Sequence, residues 1–193
     1  MFRSLRQTNA RWRPFDGEGL EHLTIRPVET SAGAIIRAGG TIIGDRGGTP
    51  YGVSYRIDCS PHWEVLFFSV ETTDGRTVAL WSDGNGHWRH ADGRPLPDFD
   101  GCIDIDLAGT PFTNSLPIRR LDLTPGSAAA KLNMLYIPFD TFEPTRDAQR
   151  YSCLKQDALY RYEAEERSFT ADLPVDEDGL VLDYPGLFQR LAL

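Results

Sequence analysis

Four aspartates, Asp98, Asp100, Asp104 and Asp106, crowd the stretch from Asp98 to Leu107, and a Thr113-Asn114 pair and the adjacent Arg119 and Arg120 follow within the next segment. Fixed polar groups at this density among apolar residues cost free energy unless each is paired, so the stretch predicts a network of definite geometry rather than a solvated loop. Cys102, Asp104 and Asp106 alternate with Ile103, Ile105 and Leu107. On a strand this alternation projects both carboxylates from one face and the aliphatic residues from the other.

Asp104 and Asp106 form an Asp-x-Asp arrangement of the kind that can hold a divalent metal in sugar-nucleotide enzymes. No glycine-rich phosphate loop or βαβ pattern accompanies it. Glycoside hydrolysis would need two carboxylates at a set separation, and the aspartates offer candidates without fixing one. The plainer reading is ion pairing with Arg119 or Arg120, which sit side by side on an expected strand and should face opposite ways. His22, His62, His87 and His90 lack the third ligand a zinc site needs, and there is no Gly-x-Ser-x-Gly elbow. No catalytic residue, metal ligand or cofactor is therefore assigned.

The elements that must position this cluster read as strands. Residues 21–29 and 32–43 predict early strands, with Pro27 pointing to an edge and Gly39-Gly40 to a break. Tyr51, Val53, Tyr55 and Ile57 alternate cleanly, and Trp63–Thr72 is apolar on both faces, as a covered central strand would be. Asp74-Gly75, Asp83-Gly84 and Asp92-Gly93 punctuate a meander of hairpins. Further strands are expected at 131–139, 158–164, 168–174 and 180–184, and Pro185–Leu193 reads as a short C-terminal helical turn. The whole is a single domain, 1–193, mostly β, with residues 1–15 composed like a frayed end.

Composition narrows the function. A net charge of −8 argues against nucleic acid as a partner, because phosphate binding needs a basic field. Cys59, Cys102 and Cys153 are too widely spaced for a metal knuckle or a disulfide framework, which fits a reducing, cytoplasmic setting. No apolar run is long enough for a transmembrane helix, and none near the N-terminus approaches a signal-peptide core. Trp63, Phe67, Phe68, Trp81, Trp88, Tyr136, Tyr160 and Tyr162 supply aromatic surface to a sheet with few helices to cover it. Such a sheet can curl around an apolar ligand.

Leu96-x-x-Phe-Asp-Gly-Cys-x-Asp-Ile-Asp-Leu107 and Thr110-Pro-Phe-Thr-Asn-Ser-Leu-Pro-Ile-Arg-Arg-Leu121 resemble a bacterial family described as putative glycolipid-binding proteins. Asp83-Gly-x-Gly-x-Trp88, Tyr160-Arg-Tyr162 and the closing Asp176-x-Asp-Gly-Leu-Val-x-Asp-Tyr-Pro-Gly-Leu-Phe-Gln-Arg190 extend the resemblance over roughly residues 51–190. The resemblance implies a large curved antiparallel sheet or incomplete β-barrel, akin to bacterial lipoprotein carriers that shelter acyl chains. The expected function is that of a lipid- or glycolipid-binding protein rather than an enzyme, with the polar head near Asp104, Asp106, Asn114, Arg119 and Trp88. The competing readings are an enzyme that uses Asp104 or Asp106, and an interaction protein in which the cluster only holds the sheet together.

Overall fold

The computed structural model describes residues 2–165 and 169–192, with Arg46 described by its backbone alone. In chain order the strands are β1 Thr8–Pro14, β2 Gly19–Thr30, β3 Gly33–Arg46, β4 Thr49–Cys59, β5 Val65–Thr72, β6 Thr77–Ser82, β7 Trp88–Arg89 and β8 Ile105–Leu107. Helix α1, Ser115–Leu121, precedes β9 Ala130–Ile137, β10 Thr145–Lys155, β11 Leu159–Ala164, β12 Phe169–Pro174, β13 Asp183–Tyr184 and β14 Phe188–Arg190. Among the described residues these form two sheets, ordered β13-β14-β1-β2-β3-β4-β5-β6-β7 and β12-β11-β10-β9-β8. The first is a large antiparallel sheet, and the second is strongly curled into a half-barrel.

The first sheet grows as the sequence dictates, hairpin by hairpin. Alternation in β2 buries Glu21, Leu23 and Ile25 on one face, and β4 buries Val53, Tyr55 and Ile57 beside them. The break expected at Gly39-Gly40 does not occur, since β3 pairs with β4 without a register shift from Ile36 to Arg46. Gly40 serves another purpose. A Cβ there would lie 2.2 Å from the Tyr55 ring, so glycine lets Tyr55 lie across β3 and reach β2. Gly44 does the same for Tyr51, whose hydroxyl would stand 2.9 Å from a Cβ. Pro27 is tolerated because β1 ends its pairing at Ile25, which leaves the rest of β2 bonded on the β3 side alone.

Residues 2–15 are tied down rather than frayed. Nε and Nη2 of Arg3 each donate to Asp178 at 2.6 Å, and β1 pairs on both sides, with β2 and β14. The C-terminal helical turn is also replaced: residues 183–190 form the β13–β14 hairpin, turning at Gly186 with φ +75°. A helix of that length gains too little on its own, whereas the open edge of β1 offers backbone partners at Trp12, Arg13 and Pro14.

The strand expected to carry Arg119 and Arg120 is instead α1. Pro117 falls in its first turn, where no intrahelical N–H is required, and Asp122 ends it in the left-handed conformation. Ile118 of α1 joins the buried cluster formed by Tyr151, Tyr162, Ala171, Val181 and Tyr184, so the helix fills part of the space inside the curled sheet. Ile105, Leu107, Leu135 and Ile137 face the other way and join the core of the large sheet.

Candidate functional site

What α1 leaves unfilled is a half-open cavity of about 700 Å³ between the two sheets. Its walls are rings. Tyr162 of β11, Phe169 of β12, Tyr184 of β13 and Phe188 of β14 run in a chain with centroids 6.1–6.4 Å apart, crossing from one sheet to the other. Opposite them Tyr51, seated over Gly44, meets Phe139 edge-on at 5.2 Å. Gly109 gives Phe139 its place, because a Cβ there would fall 2.5 Å from the ring.

The polar side of the cavity comes from β8 and the turn before α1, backed by side chains of β10. Asp106 pairs in register with Tyr136, which puts both side chains on the cavity side of the sheet. Thr113 donates to Asp106 Oδ1 at 3.2 Å, and Gln149 Nε2 donates to Oδ2 at 2.7 Å and to Asp147 Oδ2 at 2.9 Å. Tyr151 donates from its buried hydroxyl toward Asn114 Oδ1 at 2.9 Å and Gln149 Oε1 at 3.2 Å. Burial is the main reason the Tyr151 hydroxyl is held well above its ordinary range, and the nearby Asp106 adds to it. It therefore stays a neutral donor. The result is a set of prearranged acceptors and donors behind aromatic walls.

A second buried carboxylate adjoins this floor. Glu21 on β2 accepts at Oε1 from the Tyr55 hydroxyl at 2.5 Å and from Thr110 Oγ1 at 2.7 Å, and Thr110 itself lines the cavity. Burial pushes the Glu21 carboxyl up to about 7, against the opposing pull of those two hydroxyls and of Arg190.

The structure divides the residues singled out in the sequence. Asp106 and Asn114 both line the cavity. Asp104, two residues earlier, precedes β8 and does not line the cavity; it is 1% exposed and held by Arg120 through Nε at 3.1 Å and Nη2 at 2.5 Å. Burial raises the Asp104 carboxyl against the pull of that guanidinium. Of the two aspartates expected to share a face, only Asp106 falls within β8 and lines the cavity. Arg119 points to the other side of α1, stacked over Trp63 at 4.7 Å and Phe2 at 5.0 Å, away from the cavity. Trp88 is a core residue, 2% exposed, whose Nε1 donates to the Cys102 carbonyl at 2.7 Å.

Sequence reasoning missed Glu21, Tyr51, Thr110, Gln149 and Tyr151. It also missed β10 altogether. The inward face of that strand carries Asp147 and Gln149 before Tyr151 and Cys153, so the apolar alternation that announces a strand is absent where the site is built. The signals that existed were small ones: a glycine four residues before another in β3, each opposite a tyrosine of β4.

Comparison with known proteins agrees with this architecture. A family profile described as putative glycolipid-binding matches residues 9–190. A crystal structure of a DUF1089 family protein from Pseudomonas aeruginosa is 40% identical, with 93% of this chain and 95% of that chain covered and a TM-score of 0.77. No curated protein matches the chain.

Proposed function

This chain belongs to the family described as putative glycolipid-binding, and from that premise we propose that its inter-sheet cavity holds one amphipathic lipid or glycolipid molecule. The supporting observation is the cavity itself. Its volume of about 700 Å³ falls inside the range of about 300–1,000 Å³ usual for small-molecule sites, and it combines apolar walls with a few convergent polar groups. The tail lies against Tyr162, Phe169, Tyr184 and Phe188, while the head meets Asp106, Asn114 and Thr110.

Binding without turnover is the reading carried forward, since the floor's polar groups hold one another rather than a nucleophile. Among the described residues no helix is long and apolar enough to cross a membrane. Cys59, Cys102 and Cys153 are buried and unbridged, which suits work in the cytoplasm. Native mass spectrometry of the purified protein tests the proposal: a copurified lipid mass that washes out with organic solvent supports it. Absence of any adduct, together with no thermal shift from a panel of neutral, anionic and cationic amphiphiles, would reject it.

A further inference from the structure

Tyr51 and Phe139, which meet edge-on in the wall of the main cavity, also line a second cavity of about 290 Å³. Among the described residues these two rings alone line both spaces, so they stand where the two meet. The far walls come from the start of β4, the β5–β6 hairpin and the turn that follows β9. They include Thr72, Thr73, Asp74, Arg76 and Asp140, a more polar set than the rings of the main cavity.

The Phe139 ring is braced from both sides. Gly109 makes room for it on one, and Phe142 stacks on it at 5.5 Å and 21° on another. Phe142 takes a left-handed backbone to do so, with φ +56°, and its N–H donates to the Pro138 carbonyl at 3.0 Å, closing the turn that carries both rings. That conformation is a genuine outlier for a bulky side chain, and strain of this kind persists where the surroundings fix it, above all at ligand clamps. Arg76 covers Phe142 at 4.8 Å and is itself tied to Asp74 at 3.2 Å and to the Asp140 carbonyl at 3.2 Å. Phe139 is the innermost member of this stack.

We propose that Phe139 is a specificity-determining residue that sets the length of the ligand's polar head. This rests on the main cavity being the ligand site, with the head near Thr110. Gly109, on which the Phe139 ring lies, is the residue before Thr110, so the partition stands at the head end. An alkyl tail gains nothing among the charged groups beyond it, whereas a polar head can exchange hydrogen bonds with them. With the ring in place a head must end short of the second cavity. Removing the ring joins the two spaces and admits a longer one, so the selection is by size.

Titration calorimetry with dodecyl β-glucoside and dodecyl β-maltoside, each below its micelle concentration, tests this on the wild type, Phe139→Leu and Phe139→Ala. The two probes share a tail and differ by one ring in the head. The wild type should bind the glucoside at least about tenfold more tightly, the scale of one hydrogen bond left unmade by the longer head. Phe139→Ala should bring the two affinities within about threefold by tightening the maltoside, and Phe139→Leu should fall between. If neither variant folds, intermolecular NOEs on the wild type replace them, and they should join the Phe139 ring to the glucoside head. Equal binding of both probes by the wild type, an unchanged ratio or loss of both probes in a folded variant, or NOEs to the dodecyl chain alone would overturn the role of Phe139 while leaving the cavity as a lipid site. If neither amphiphile binds the wild type, the cavity reading falls, and this assignment with it.

Discussion

Asp104 and Asp106 are two residues apart in sequence and lie in opposite kinds of surroundings. Asp104 is buried in contact with a guanidinium that closes on it through two nitrogens, so its charge is matched and no space is left. Asp106 is held by neutral donors, Thr113 and Gln149, and faces a cavity. Burial beside a fixed cation marks a structural joint, here between α1 and the start of β8. Burial beside neutral groups and open space marks a place where something else can bind. Glu21 is likewise held by neutral groups, one of its oxygens accepting from two hydroxyls.

The largest expected effect tests the first kind. Replacing Arg120 by Ala leaves Asp104 as an uncompensated buried charge and should cost about 3–5 kcal/mol. Arg119→Ala loses its stacking over Trp63 and Phe2 and two long hydrogen bonds to the Arg3 carbonyl, about 1–2 kcal/mol, because that guanidinium makes no carboxylate pair among the described contacts. Urea midpoints of the two variants measure the difference. Equal losses would break the distinction between the two sides of α1.

Next in size is a pH effect set by Glu21. An acid whose folded-state pKa lies above its unfolded value holds its proton more tightly when folded, so stability is greatest below the unfolded value and falls as pH rises. Here the window runs from the ordinary 4.5 to about 7. At about 1.4 kcal/mol per pKa unit the loss approaches about 3 kcal/mol. Asp104 is raised by burial and His87 by its bond to Asp83, and both push in the same direction. The difference between wild type and Glu21→Gln isolates the Glu21 share, which should appear as a flatter stability profile for the variant between pH 5 and 8. Parallel profiles would show that Glu21 is not buried in an apolar setting.

A third test concerns how Tyr55 reaches Glu21. Gly40→Ala places a methyl 2.2 Å from the Tyr55 ring, so the ring must leave its path across β3. The expected cost is about 1–3 kcal/mol, in the range of overpacked cores. Tyr55→Phe keeps the ring and removes its hydroxyl, about 1 kcal/mol. If Gly40→Ala proved neutral, β3 would have enough play to tolerate the methyl.

These residues also show what the sequence could reveal. The hairpins of the large sheet were legible, because alternation and Asp-Gly turns state local preferences that the fold obeys. The pairing of Arg120 with Asp104 was legible only as one of two choices, since adjacent arginines on a strand or on a helix both diverge, and α1 itself was not foreseen. The site stayed hidden for a physical reason. A strand whose inward face is Asp147 and Gln149 loses the apolar period, and Glu21 sits in a clean apolar alternation where a carboxylate reads as the outlier. Glycines over which tyrosines lie look like strand breakers until the partner strand is known.

The smallest expected effect on stability belongs to the rim, and it separates a binding surface from a packing one. Phe169 and Leu187 are 37% and 43% exposed while lining the cavity, an unfavourable placement for large apolar side chains unless a partner covers them. Replacing either by Ser removes little buried area, so the unliganded protein should lose less than about 1 kcal/mol. An amphiphile at about a hundredfold excess over its Kd should stabilise the wild type by about 2.7 kcal/mol, and removing an apolar wall should reduce that gain even where the free protein is unchanged. Calorimetric melting of wild type, Phe169→Ser and Leu187→Ser, with and without dodecyl β-glucoside, gives both quantities at once. A variant that melts like the wild type alone but shows a smaller shift with ligand places the tail against that rim. One whose ligand shift is unchanged would place the tail deeper, between the half-buried Tyr51 and the buried Tyr162.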